Sequence, residues 1–137
     1  MYADLLAQRV VDLVEGAAFP HLDPTSVISV IALLLAGAGF VTVRDYALGG
    51  GDRLPLLVAE PFPRVEASIG IVPAVSASPD SPAEALTARL ARYAQHPAVD
   101  GLVVVGAGAG PVPMPRTVGG VPLRAAIATL RTVGPTH

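Results

Sequence analysis

The chain has 137 residues, 52% of them hydrophobic and only 15% charged, with a net charge of −2 and no cysteine. Disulfides and thiolate metal sites are therefore excluded, and a slightly acidic chain without a run of like charges lacks the basic face of a nucleic-acid binder. Globular domains average about 25% charged residues, so a surface this poor in charge is expected to lie partly under other protein, as in a subunit of a homo-oligomer.

Residues 3–15 read as an amphipathic helix. Leu6, Val10, Leu13 and Val14 share a face, Arg9 and Asp12 lie away from it, and Gly16 is a stop. Asp4, Arg9, Asp12 and Glu15 also break any apolar core of a signal peptide. After Phe19-Pro20-His21-Leu22, Asp23 is placed as an N-cap with Pro24 at the first helical position, where a missing N–H costs nothing. The helix from Pro24 to about Ala36 is apolar nearly all round, so burial on more than one side is expected. Twenty uncharged residues separate Asp23 from Arg44. Gly37 and Gly39 interrupt them, which leaves about 13 residues of helix, too short to span a bilayer, and no membrane partner is expected.

Strands follow. In 40–46, Val41 and Val43 alternate with Thr42 and Arg44, and Gly49-Gly50-Gly51-Asp52 makes a flexible turn. Leu54 to Ala59 is continuously apolar, as in a strand covered on both faces. In 65–72, Val65, Ala67, Ile69 and Ile71 point one way while Glu66, Ser68 and Gly70 point the other. After the linker 73–82, Ser81-Pro82-Ala83-Glu84 forms a capping box. It opens a helix to Gln95 that buries Leu86, Leu90 and Ala94, exposes Arg89 and Arg92, and stops at Pro97. Leu102 to Val105 is a short apolar strand and 106–120 a loop rich in Gly and Pro. For 121–133 two readings stand. Leu123, Ile127 and Leu130 have helical spacing, whereas Leu123, Ala125, Ile127 and Thr129 alternate as in a strand.

The fold expected is α+β in a single domain, 1–137: an N-terminal helix (1–16), a core (17–133) and a tail (134–137). The core holds one mixed or antiparallel sheet of about four to five strands packed by two to three helices.

Little in the chain carries chemistry. Val103-Val104-Val105-Gly106-Ala107-Gly108-Ala109-Gly110 is a strand running into G-x-G, the start of a dinucleotide-binding turn. The third glycine should fall at Pro111, and no helix starts through Pro111-Val112-Pro113-Met114-Pro115, so no helix N-terminus faces a phosphate. A flexible loop is the simpler reading, with a small nucleotide-binding module using Gly106 to Gly110 as an alternative. His21, His96 and His137 have no metal-ligand spacing with one another or with a carboxylate. His96 is expected to interact with the last carbonyls of its helix, and His21 to lie in a loop. No catalytic residue, metal or cofactor is expected.

The order helix, three strands, helix, strand resembles the core of the restriction-endonuclease-like fold. The family's D…(D/E)-x-K pattern supplies carboxylates for Mg²⁺ and a lysine that assists the attacking water. All nine basic residues of this chain are arginine, and Ile69-Gly70-Ile71-Val72 stands where the E-x-K belongs. The resemblance therefore implies a catalytically inert interaction domain.

A second resemblance, the leading one, is to the tail terminator (tail completion) proteins of long-tailed bacteriophages. It is carried by Phe19-Pro20 with the apolar helix and Val41-Thr42-Val43-Arg44, by Leu54-Pro55-Leu56-Leu57-Val58, and by Gly110-Pro111 to Pro115 followed by Pro122 to Arg131. In the last stretch that family has a proline-containing loop and a closing strand. The chain departs from it in the bland Ile69 to Val72 and in an alanine-rich closing segment. The resemblance implies a structural virion protein, assembled in the host cytoplasm. It would form a ring of about six copies at the head–tail junction that caps the tail tube protein and docks a neck or head-completion protein. The flexible tip Gly49, Gly50, Gly51 and Asp52 and the 106–120 loop would serve docking. Arg44, Arg116, Arg124 and Arg131 would make intersubunit ion pairs, or stand solvated.

Overall fold

A computed structural model describes residues 2–20, 24–49, 52–59, 68–73, 83–97, 99–107 and 117–130. The first helix, α1 (Tyr2–Glu15), forms because its apolar residues recur three and four apart and so gather on one side. Leu6, Ala7, Val10, Val11 and Val14 are buried, while Arg9 and Asp12 are exposed. The amide of Gly16 closes the helix on the Asp12 carbonyl at 3.1 Å, and the short strand β1 (Ala18–Phe19) follows with Phe19 fully buried.

The second helix, α2 (Pro24–Gly37), ends in a glycine cap. Gly39 has φ of 97°, and this left-handed residue turns the chain so that orphan carbonyls of the last turn are satisfied. Phe40 N–H donates to the Leu35 carbonyl at 3.0 Å and Gly39 N–H to Ala36 at 3.1 Å. Phe40 then folds back onto the core that holds Leu35, and the Arg9 guanidinium lies 5.6 Å above its ring, a cation–π contact joining α1 to the end of α2. Within the chain only one side of α2 is buried, through Val27, Ile28, Ile31 and Leu35, and Leu33 is 76% exposed. Burial on more than one side is not met here, because the sheet covers a helix from beneath only.

The remaining elements are β2 (Val41–Gly49), β3 (Asp52–Ala59), β4 (Ser68–Pro73), α3 (Ala83–Ala94), β5 (Gly101–Ala107), β6 (Thr117–Val118) and β7 (Val121–Leu130). Six strands run in the order β1-β7-β5-β4-β3-β2, with β6 paired to β7 off that path. The sheet is thus α+β and mixed as expected, with more strands than the four to five expected, since β1 and β7 extend it. Strands β2, β3 and β4 form an antiparallel meander; β4, β5, β7 and β1 are mutually parallel along their pairings. A parallel neighbour requires a crossover, and α3 supplies it between β4 and β5.

Two apolar layers sandwich the sheet. Leu56, Val58, Ile69, Ile71, Val103, Val105, Ala126 and Ala128 face α1 and α2. Leu54, Leu57, Val72, Leu102, Val104 and Leu123 share the opposite side with Leu90, Tyr93 and Ala94 of α3. The period-two alternation of a strand accounts for nearly all of this division. It breaks once, where Leu54 and Leu56 go to opposite layers. Between them Pro55 lies opposite Asp45, which has φ of 51°. Proline offers no N–H to the ladder, and aspartate is among the few residues that tolerate the left-handed region.

Residues 131–133 lie outside the described residues, and 121–130 form a strand, which decides between the two readings there. Its residues pair with β5 from Leu102↔Leu123 to Ala107↔Ala128, and α1 covers their other side. That pairing outweighs the helix propensity of alanine. The loop read over 106–120 also shortens at both ends: Gly106 and Ala107 belong to β5, and 117–120 form a hairpin with β7. Its turn residues Gly119 and Gly120 have φ of 56° and 84°, as a two-residue turn between strands requires. Arg89, expected exposed, is half-buried, and its Nε is buried with no hydrogen-bond partner. The Ser81 capping box and the Asp23 N-cap lie outside the described residues.

Candidate functional site

Strand β4 lies in the middle of the sheet between β3 and β5, and it carries Ile69-Gly70-Ile71-Val72. Ile69, Ile71 and Val72 are fully buried, and among the described residues no polar or charged residue is buried. Gly70 pairs with Leu57 on one side and Leu102 on the other. A Cβ added there would stand 2.8 Å from Leu102 Cδ2 and 2.9 and 3.0 Å from Leu54 Cδ2 and Cδ1. Carbon atoms pack optimally at about 3.5–4.0 Å, so the leucines already fill the space a side chain at 70 would need. A carboxylate there would be desolvated without a partner.

A shallow cleft of about 250 Å³ opens where β2, β3 and β4 meet the start of α2, lined by Thr25, Ile28, Arg44, Asp45, Pro55 and Pro73. Ligand pockets usually span about 300–1,000 Å³, so this notch is small. It offers one carboxylate beside one guanidinium, and its two prolines present no N–H. Among the described residues no group of three or more His, Asp or Glu is gathered as a metal site.

Of the interface residues expected from sequence, the described arginines Arg44 and Arg124 lie on different strands. Arg44 is exposed on β2 and lines the cleft. Arg124 lies on β7 on the far side of the sheet's centre, half-buried, where its Nη1 donates to Gln8 Oε1 of α1 at 2.6 Å. Gly49 pairs with Asp52, and Gly50 and Gly51 between them lie outside the described residues, as do Arg116 and Arg131. Gly106 is buried in β5, whereas 108–110 are outside the described residues, as are His21 and His137. The His96 ring meets Tyr46 edge-on at 6.1 Å, a contact between the end of α3 and β2 that spacing did not disclose.

Two polar contacts also escaped the sequence. Ser68 N–H donates to Asp100 Oδ2 at 2.9 Å, and Asp100 N–H donates to the Ser68 carbonyl at 2.9 Å. This reciprocal clamp fixes the starts of β4 and β5 against each other. Ile127 N–H donates to Glu15 Oε2 at 3.2 Å, tying the end of α1 to β7. Each carboxylate stands at the end of an element, and only the fold supplies its donor. Another feature visible only in the fold is the outer margin of β2, where Val41 and Val43 are 48% and 42% exposed.

No described helix is long and apolar enough to cross a membrane. Comparison with protein-family models, with curated proteins and with solved structures finds nothing that matches this chain.

Proposed function

We propose that this chain is a catalytically inert domain of restriction-endonuclease-like topology that acts by binding protein. One observation carries the reading. The succession α2, β2–β3–β4, α3, β5 forms a continuous part of one sheet, yet the place for the acid on its third strand is a glycine closed off by Leu54 and Leu102. Among the described residues no group of carboxylates is gathered to hold Mg²⁺, and the chain has no lysine to assist water. The test is incubation of the purified protein with supercoiled and single-stranded DNA in Mg²⁺ and in Mn²⁺. Intact substrate after prolonged incubation is expected. Protein-dependent nicking that co-elutes with the chain refutes the reading.

A second reading is favoured by the closing strand. Residues 121–130 form a strand, as the tail-terminator likeness calls for. Under that reading the protein is a structural virion protein whose ring covers the last tail-tube ring and so stops further polymerisation. Mixing the protein with tail tubes and imaging by negative stain tests it. Rings seated on tube ends support it, and bare tube ends at saturating protein refute it.

A further inference from the structure

We infer that the outer edge of β2 pairs with the same edge of a second copy of this chain, antiparallel, about a two-fold axis at Thr42. This deepens the binding-module reading by naming its partner, and its test is separate from the nuclease assay.

An edge strand presents a row of unpaired N–H and C=O groups, a template for another strand. Strand β2 ends the sheet, and among the described residues nothing pairs with its outer side. The opposite edge is β1, which has two residues, whereas β2 has nine. A head-to-tail stack of copies would have to join these unequal edges, so the contact open to β2 is isologous and closes as a pair.

The side chains favour one register. Val41 and Val43 lie opposite Ala59 and Leu57, on the α3 side of the sheet, but α3 sits over β5 and β6 and leaves them uncovered. With the two Thr42 residues opposite each other, Val41 of each copy faces Val43 of the other, and Arg44 faces Phe40. Pairs of β-branched residues and of threonines are favourable across strands, and like charges opposite one another are not. Centring the pair on Arg44 or Asp45 would oppose two guanidiniums or two carboxylates, and centring it on Val43 would set Val41 against Asp45, so charge and apolar matching together favour Thr42. The φ of 51° at Asp45 ends the regular edge just beyond. On the other face lies α2, which contacts β2 and carries no charged residue from Pro24 to Gly37.

The chain has no cysteine, so a single Thr42→Cys gives an unambiguous probe. Residues directly opposite in antiparallel strands have Cβ atoms about 4.5–5.5 Å apart, and mild oxidation should yield a covalent dimer. Gln95→Cys, exposed at the end of α3, should give little. In sedimentation velocity the unmodified chain should run at twice its 13.9 kDa. The Val41→Lys/Val43→Lys variant should run at the single mass and keep its far-UV spectrum and melting cooperativity. A monomer at the highest soluble concentration overturns the inference. So does an assembly of any size that survives the double lysine variant and leaves Thr42→Cys uncrosslinked. DNA cleavage would overturn the inert-domain reading and leave this pairing standing.

Discussion

At Gly70 the α3-side core leaves no room for a side chain, and this allows a quantitative check of the packing. Gly70→Ala adds one methyl group to a space whose nearest atoms would be 2.8, 2.9 and 3.0 Å away. Leu54 and Leu102 must each withdraw by roughly half an ångström or more to reach normal carbon contact. Overpacking of this kind costs about 1–3 kcal/mol, offset by about 0.5–1 kcal/mol from the backbone freedom that glycine loses on folding. The net expected loss is about 1 kcal/mol. Leu54 is fully buried, so Leu54→Ala alone should cost about 2–5 kcal/mol. In the Leu54→Ala background two of the three close contacts are gone while Leu102 Cδ2 still stands 2.8 Å from the new methyl, so Gly70→Ala should cost less than in the parent chain without becoming fully free of strain. The coupling between the two positions is therefore a part of the overpacking cost, about 1 kcal/mol. Urea denaturation of the four proteins of the cycle measures it, provided the m-values agree, and each kcal/mol should move Tm by about 3–4 °C. Equal effects of Gly70→Ala in both backgrounds, within about 0.5 kcal/mol, would show that Leu54 does not occupy the space at 70. The structural case against a carboxylate there would then fail.

Other expectations concern the backbone and the polar clamp. Gly39→Ala should destabilise by about 1–2 kcal/mol through its positive φ, because nothing lies within 4 Å of the added Cβ. Gly37→Ala, equally unobstructed but helical, should stabilise by about 0.5–1 kcal/mol. Thermal melts that shift the same way for both would contradict the cap. Asp100→Ala removes the acceptor of Ser68 N–H and should cost about 0.5–1.5 kcal/mol. Asp100→Asn keeps an acceptor oxygen and should recover most of that loss, as chemical denaturation would report. If Asn is as damaging as Ala, the hydrogen bond is not what holds the two strand starts together.

Much of the fold was legible because local rules and global fold agree. The amphipathic spacing in α1 and the apolar runs of β3 and β5 could be read from local pattern alone. Gly39, read only as a break in the apolar run, proved to be the left-handed cap. Legibility failed at 121–130, where alanine-rich residues suit a helix and only pairing with β5 decides for a strand. It failed again for Arg124, whose engagement with Gln8 joins residues 116 positions apart. No window of sequence spans that distance.

The sequence by itself determined the class of the protein: α+β, poor in charge, and without cysteine or lysine. Composition and short-range periodicity decide these matters, since they depend on residues within a turn or two of one another. Tertiary structure alone decided that Gly70 is shut by Leu54 and Leu102, and that β2 rather than a longer strand forms the edge. It also left Val41 and Val43 uncovered. Strand order and helix placement are set by how the two apolar layers are closed. That is a property of the whole chain at once, which no local pattern records.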